Sequence, residues 1–237
     1  WQAHRTRQKK KGRALKISKR SGTIETLCVI PARMTSNRFP GKALVEIRGK
    51  PMIQHVIERC SQSLFVDKVV VAIPNNKGNK PLAVWLRKHK ADYMAPKGIS
   101  ENNVLGRIAA VVDKYNPALV VRVNGDSPLV MPDLIDRAVR DIKMFRKAGP
   151  ANQNTCVYLG YKFGQTPSVM TRYAAPEVFT ANALRLWASA IEHVTPNGYI
   201  ETLGMFIEME GTPFPTVVDT PSDVAKVAFR MEEPCSS

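Results

Sequence analysis

The sequence predicts an α/β fold, and three observations carry that reading. Short runs that are apolar nearly throughout alternate with segments whose apolar residues recur at helical spacing. Clusters of Pro, Gly and Asn fall between them. The apolar share, 44% of 237 residues, is enough for one globular unit with a sizeable core. Strands without polar alternation belong to a parallel sheet covered by helices on both faces.

The elements follow in order. Leu27 to Ile30 is the first apolar run, stopped by Pro31; a polar loop reaches Lys50, and Met52, Ile53, Val56, Ile57, Cys60 and Leu64 then mark a helix face. The β-branched run Lys68 to Ile73 ends at Pro74 and the turn cluster Asn75 to Asn79, before a helix carrying Leu82, Trp85 and Leu86, with Trp85 expected in the core. Asp92 to Ala95 predicts a short strand, and Val104, Leu105, Ile108, Ala109 and Val112 another helix. Ala118 to Val123 is a fourth strand, apolar except for Arg122. Pro132 opens a helix with Leu134, Ile135, Ala138, Val139 and Ile142 on one side. Residues 148 to 212 are less periodic; a strand over Thr155 to Tyr161 and a helix over Ala181 to Ala190 predict a small β-rich insertion on the acceptor side. The expected division is a disordered basic arm, 1–22, and one domain, 23–237, whose less periodic part spans 148–212.

Charge and cysteine usage narrow the class. The formal charge of +15 is uneven: residues 1–22 hold nine Lys or Arg and no acid, which leaves +6 on the other 215 residues. Such an arm has too little apolar surface to pack. It reads as a solubilising tail, a contact for polyanions or a targeting peptide, so nucleic acid is an expected partner only through the arm. The four cysteines stand far apart, with no ligand-like spacing to a histidine, and read as reduced thiols of a cytoplasmic protein. No apolar run approaches the roughly 20 residues that span a bilayer.

In an open α/β sheet, ligands lie at the carboxyl ends of the strands, so the loops after Ile30 and Val123 are where chemistry is expected. The first reads P-A-R-M-T-S-N-R-F-P-G-K over Pro31 to Lys42 and places Arg33, Arg38 and Lys42 close together, with Ser36 and Gly41 between. Three cations on a flexible backbone suit a triphosphate, although a solvated basic loop has the same composition. It is not a Walker A loop, because Ser36 stands where that motif needs Gly and Ala43 where it needs Ser or Thr. Metal ligands would then come from carboxylates elsewhere. Asp126, in N-G-D-S-P directly after the fourth strand, is one candidate, and the same residues also favour a turn. Asp219 in V-V-D-T-P-S-D precedes a good helix start at Pro221. His193, Glu177 and Glu192 are isolated residues whose surroundings in sequence suit a structural role as well as a functional one.

The stretch I-P-A-R-M-T-S-N-R-F-P-G-K-A-L, followed by R-G-K-P-M-I-Q-H-V-I-E-R, resembles the opening of the sugar-activating cytidylyltransferases, which include the 3-deoxy-manno-octulosonate, acylneuraminate and spore-coat polysaccharide types. The likeness continues through N-V-L-G-R (103–107), V-V-R-V-N-G-D-S-P-L (120–129), E-V-F (177–179), E-H-V-T-P (192–196) and V-V-D-T-P-S-D-V (217–224), the later motifs leaning toward the spore-coat type. It implies a Rossmann-like nucleotidyltransferase fold that takes CTP with magnesium or another divalent metal, usually as a homodimer. The implied reaction moves CMP to a sugar acid of the 3-deoxy-2-ulosonic or nonulosonic type, releasing pyrophosphate, for surface polysaccharide. By resemblance, Arg33, Ser36, Arg38, Lys42 and Asn124 contact the nucleotide, with Lys42 at the α-phosphate. Arg33, Lys42 and Asp126 carry the chemistry, Asp126 and Asp219 hold the metal, and the 148–212 region is the acceptor and dimerisation side, with Glu177, Glu192 and His193 as its acceptor-site or dimer-interface candidates. Lys and Arg fit this role because charge grows on the phosphate oxygens during transfer. The family often has Gln or Thr at the position of Asn124, which bears on base preference; another base, or a non-catalytic nucleotide- or nucleic-acid-binding homologue, are the competing readings.

Overall fold

The computed structural model describes residues 23–148, 158–163, 176–190 and 205–209. The basic arm, and with it Glu192, His193 and Asp219, lie outside the described residues.

The first apolar run becomes β1, Thr26–Pro31, at the centre of a seven-stranded sheet. It pairs in parallel with β4, Lys68–Ala72, on one side and β6, Leu119–Arg122, on the other, with Cys28 opposite both Val69 and Val121. The short β5, Tyr93–Met94, continues the parallel sheet beyond β4. On the far side of β6 the direction changes. There β8, Glu177–Thr180, runs antiparallel to β6, β7, Tyr158–Phe163, runs antiparallel to β8, and β9, Met205–Met209, lies parallel to β7. The strands expected to form a separate insertion thus extend the main sheet. Of the strand predicted over Thr155 to Tyr161, the described part from Tyr158 is strand and continues to Phe163, and its first residues lie outside the described region.

Alternate residues of the central strands enter two cores, which explains why these strands lack a polar face. Cys28, Ile30, Val69, Val71, Leu119 and Val121 pack under α1 (Met52–Cys60), α2 (Lys80–Lys88) and α4 (Pro132–Ala148). Leu27, Val29, Val70, Ala72 and Val120 pack under α3 (Val104–Tyr115) and α5 (Ala181–Ala190). Side chains such as Ile53, Val56 and Ile57 of α1 are fully or almost fully buried, each worth about 1.5–3 kcal/mol. Cys28 and Cys60 are free thiols in the first core, and a hydrogen bond with Cys60 together with burial pushes the Cys28 thiol well up.

Two core assignments change. Leu64 is 72% exposed, because α1 stops at Cys60 and the Ser61 hydroxyl bonds back to the Ile57 carbonyl. The chain beyond is pinned by the buried carboxylate of Asp136, which accepts from the Ser63 hydroxyl and the backbone N–H of Leu64 and Phe65. Trp85 lies half-buried at the core's rim, stacked on His89 with ring centroids 4.2 Å apart. The sequence also concealed a hairpin, β2 (Glu46–Ile47) with β3 (Lys50–Pro51). Its two turn residues, Arg48 and Gly49, both have positive φ, as the right-handed twist of a two-residue hairpin demands.

Candidate active site

The site is assembled where β1 and β6 end side by side. Beyond Pro31 the chain leaves the sheet, and Gly41 N–H closes the loop on the Met34 carbonyl at 2.7 Å. Within it the Ser36 hydroxyl accepts from Phe39 N–H, and Ser36 is buried. Phe39 and Val45 pack with Leu129 on Ile47 and Met52, a small apolar cluster that ties this loop to the one after β6. A single 3-10 turn, Lys42–Leu44, then aims Lys42 back beneath the loop.

The second loop orders itself. Ser127 N–H bonds to the Asn124 carbonyl and Val130 N–H to the Ser127 carbonyl, each at 3.1 Å, so the Asn, Gly, Asp, Ser and Pro residues do form turns. Gly125 N–H also reaches the Pro31 carbonyl at 3.1 Å. A Cβ at Gly125 would lie 2.8 Å from the Ala32 Cβ and 2.9 Å from the Pro31 carbonyl oxygen, so only glycine lets the two strand ends approach this closely.

The two loops also meet through an ion pair. Lys42 Nζ donates to Asp126 Oδ2 at 2.6 Å across 84 residues of chain, with side chains 11% and 24% exposed. A lysine from the basic loop and the carboxylate proposed for a metal are therefore partners. Asp126 sits in the turn that the sequence signalled, with its carboxylate at the ends of β1 and β6. Nearby, Arg122 Nη1 pairs with Glu177 at 2.8 Å and Nη2 donates to Asn124 Oδ1 at 3.3 Å. Glu177, an acceptor candidate from sequence, thus braces β6 to β8 and orients Asn124. Arg38 is exposed.

Arg33 is held from further away. Its Nη1 lies 3.4 Å from Asn102 Oδ1 and 3.9 Å from Glu101 Oε1. Glu101 Oε2 accepts from Asn76 Nδ2 at 2.7 Å, Asn76 Oδ1 accepts from Asn79 Nδ2, and Asn79 Oδ1 accepts from Met34 N–H at 2.7 Å. The loops after β1, β4 and β5 are thereby knit together. Asn76, Asn79, Glu101 and Asn102 are the residues sequence reasoning missed; the Asn75 to Asn79 cluster signalled a turn, and nothing local signals a tie to Met34.

Among the described residues no group of three or more His, Cys, Asp or Glu side chains is placed to hold a metal. Asp126 is a single carboxylate at the ligand edge, which suits a magnesium ion bound by one or two carboxylates and completed by substrate phosphates.

A family model described as "Cytidylyltransferase" matches residues 27–186. The 3-deoxy-manno-octulosonate cytidylyltransferase of Pelobacter propionicus is 38% identical over 117 residues, covering 48% of this chain and 43% of the relative. That of Geobacter sulfurreducens is 36% identical over 132 residues, covering 56% and 47%. The chain's matches thus span less than half the length of these curated relatives. Among solved structures, a CMP:2-keto-3-deoxy-manno-octonic acid synthetase complexed with CTP superposes with a TM-score of 0.65 at 21% identity, over 87% of this chain and 98% of that one. A cytidylyltransferase from Leptospira borgpetersenii gives 0.66 at 23% identity, over 84% and 83%. At these identities the superpositions establish the fold: a Rossmann-like, mostly parallel sheet between helices.

Proposed function

Since the chain belongs to the cytidylyltransferase family, we propose that it transfers CMP from CTP to a sugar acid of the 3-deoxy-2-ulosonic type and releases pyrophosphate. The observation that carries this reading is the Lys42–Asp126 pair at 2.6 Å, which sets a cation and a carboxylate together at the ends of β1 and β6. Without substrate each neutralises the other. With a triphosphate and a divalent cation in the site, Lys42 would be placed to pair with a phosphate oxygen and Asp126 to hold the cation. Neither charge would be left unpaired in a half-buried site, where an unpaired charge is costly.

In the reaction, the sugar acid's anomeric hydroxyl oxygen forms a bond to the α-phosphorus. The bond between that phosphorus and the oxygen bridging to the β-phosphate breaks, its electrons leave with pyrophosphate, and the hydroxyl proton passes to solvent. Lys42 stabilises charge growing on the α-phosphate oxygens, and Arg33, with Arg38 and the Ser36 hydroxyl, binds and orients the triphosphate. A divalent metal held by Asp126, with Asp219 as a second ligand, would neutralise phosphate charge and help align the attack. Asn124, oriented by Arg122, stands beside Asp126 for the nucleoside. The homodimer, the cytoplasmic setting and the use of the product in surface polysaccharide are supported by family resemblance. No helix among the described residues is long and apolar enough to cross a membrane.

The test is pyrophosphate release with each nucleoside triphosphate and magnesium against a panel of sugar acids. Turnover is expected with CTP and a 3-deoxy-2-ulosonic acid; faster turnover with ATP or GTP overturns the reading.

A further inference from the structure

Arg107 closes the motif N-V-L-G-R, which the proposed reaction leaves unused. It is 1% exposed, the largest of the fully buried side chains. Its Nη1 donates to three backbone carbonyls of one turn: Glu101 at 2.5 Å, Ser100 at 3.2 Å and Asn103 at 3.4 Å. Its Nε has no hydrogen-bond partner. Burial, followed by the neighbouring charge of Arg33, lowers its pKa to about 10, so the guanidinium stays charged at neutral pH. A methionine would fill much of the same space without a buried charge. The charged fork does something an apolar chain cannot: it draws three carbonyls around one point and fixes the shape of residues 100–103.

That turn carries the two side chains that face Arg33. Glu101 is fixed by Asn76 through Oε2, while its Oε1 is buried without a hydrogen-bond partner and stands 3.9 Å from Arg33 Nη1. Asn102 Oδ1 meets the same nitrogen at 3.4 Å. Both contacts are long. They orient a guanidinium that is still 41% exposed, and they leave it able to move onto a phosphate.

We propose that Arg107 is a positioning residue for nucleotide binding: it shapes the 100–103 turn so that Glu101 and Asn102 aim Arg33 at the triphosphate. This rests on Arg33 being a phosphate ligand. The test measures CTP affinity by titration calorimetry on the full chain, with thermal melts alongside, for Arg33→Ala, Arg107→Met, Arg107→Lys and the double variant Arg33→Ala/Arg107→Met. Arg33→Ala should weaken binding about tenfold and Arg107→Met about fivefold, the scale of one charged hydrogen-bonding group. Arg107→Lys should recover part of the loss, and the double variant should bind no more weakly than Arg33→Ala alone.

Losses that multiply in the double variant, or an Arg107→Met protein that is less stable yet binds CTP normally, overturn the positioning role and leave the phosphate role of Arg33 intact. Normal binding by Arg33→Ala overturns both. Asn102→Ala, at an exposed position, tests the same link if Arg107→Met does not fold. It should weaken binding about two- to threefold in the parent and not at all in the Arg33→Ala background. Unchanged affinity in the parent overturns the proposal.

Discussion

The loops after β1 and β6 lie side by side and share the Lys42–Asp126 ion pair, yet they are built on different plans. The second takes its shape from its own turns, with Ser127 bonded to Asn124 and Val130 to Ser127. The first takes much of its shape from elsewhere, because Asn79 holds Met34 N–H and Glu101 and Asn102 hold Arg33. A carboxylate on a self-ordered turn is placed rigidly, whereas cations on a loop supported through side chains can shift as the phosphates arrive. The carboxylate side of the site is thereby rigid and the cation side adjustable, which suits the metal and phosphate roles proposed for them.

The severest way to break that pairing is at its shared contact. Asp126→Asn and Lys42→Ala should each lower turnover by at least about a hundredfold, as when one preorganised electrostatic group is removed. Combined, they should cost less than the product, since they act as one unit. Pyrophosphate release measures this, and a multiplicative loss would mean that the two act separately. Next is the close approach of the strand ends. Gly125→Ala should force Pro31 and Ala32 away and cost about 1–3 kcal/mol, typical of overpacking at a tight contact. A melting temperature equal to the parent's would show that the second loop yields as easily as the first. Asn79→Ala, at a side chain 1% exposed, should cost about 1–2 kcal/mol by leaving Met34 N–H unpaired, and should weaken CTP binding while leaving the second loop in place. Stability lost without any change in CTP affinity would separate Asn79 from the phosphate side.

The same contrast explains what could be read from sequence. The central strands were legible because β1, β4 and β6 send alternate apolar residues into two cores, and each core has its own helices. Asp126 was legible because the turn that presents it is encoded in five consecutive residues. Arg33, Ser36, Arg38 and Lys42 were visible as a composition, but not the partner of Lys42, which is 84 residues away. Asn79, Glu101 and Arg107 were invisible as site residues, since an asparagine in a turn and an arginine on a helix carry no sign of which distant backbone they hold. The extension of the sheet by β8 and β7 was missed for a related reason. Antiparallel addition to β6 depends on pairing, such as Val121 with Val178, that no local period reveals.

The smallest expected effect concerns the hairpin that continues the first loop. His55 on α1 holds it through a 2.8 Å hydrogen bond between Nε2 and the Ile47 carbonyl. Burial lowers the His55 pKa; the bond to Ile47 opposes the shift, and the positive charge of Lys50 adds to it. The unfolded chain, with a histidine pKa of about 6.5, therefore takes up this proton before the folded one does. Stability is unaffected by His55 above that pH, declines as pH falls through the interval down to the folded value, and levels off below it. Glu58 is the neighbour most able to blur this. Burial pushes its carboxyl up, but hydrogen bonds from Lys50 and Gln54 outweigh burial and leave it lowered, so its own acid loss begins only below about pH 4.5. The two windows are distinct. Thermal melts of the parent and His55→Gln, which keeps a donor for Ile47, should run parallel above about pH 7 and converge as pH falls toward about 5, because only the parent carries the histidine penalty. A constant gap over that range would show that His55 titrates alike in both states, and that the hairpin is as indifferent to pH as the self-ordered loop beside it.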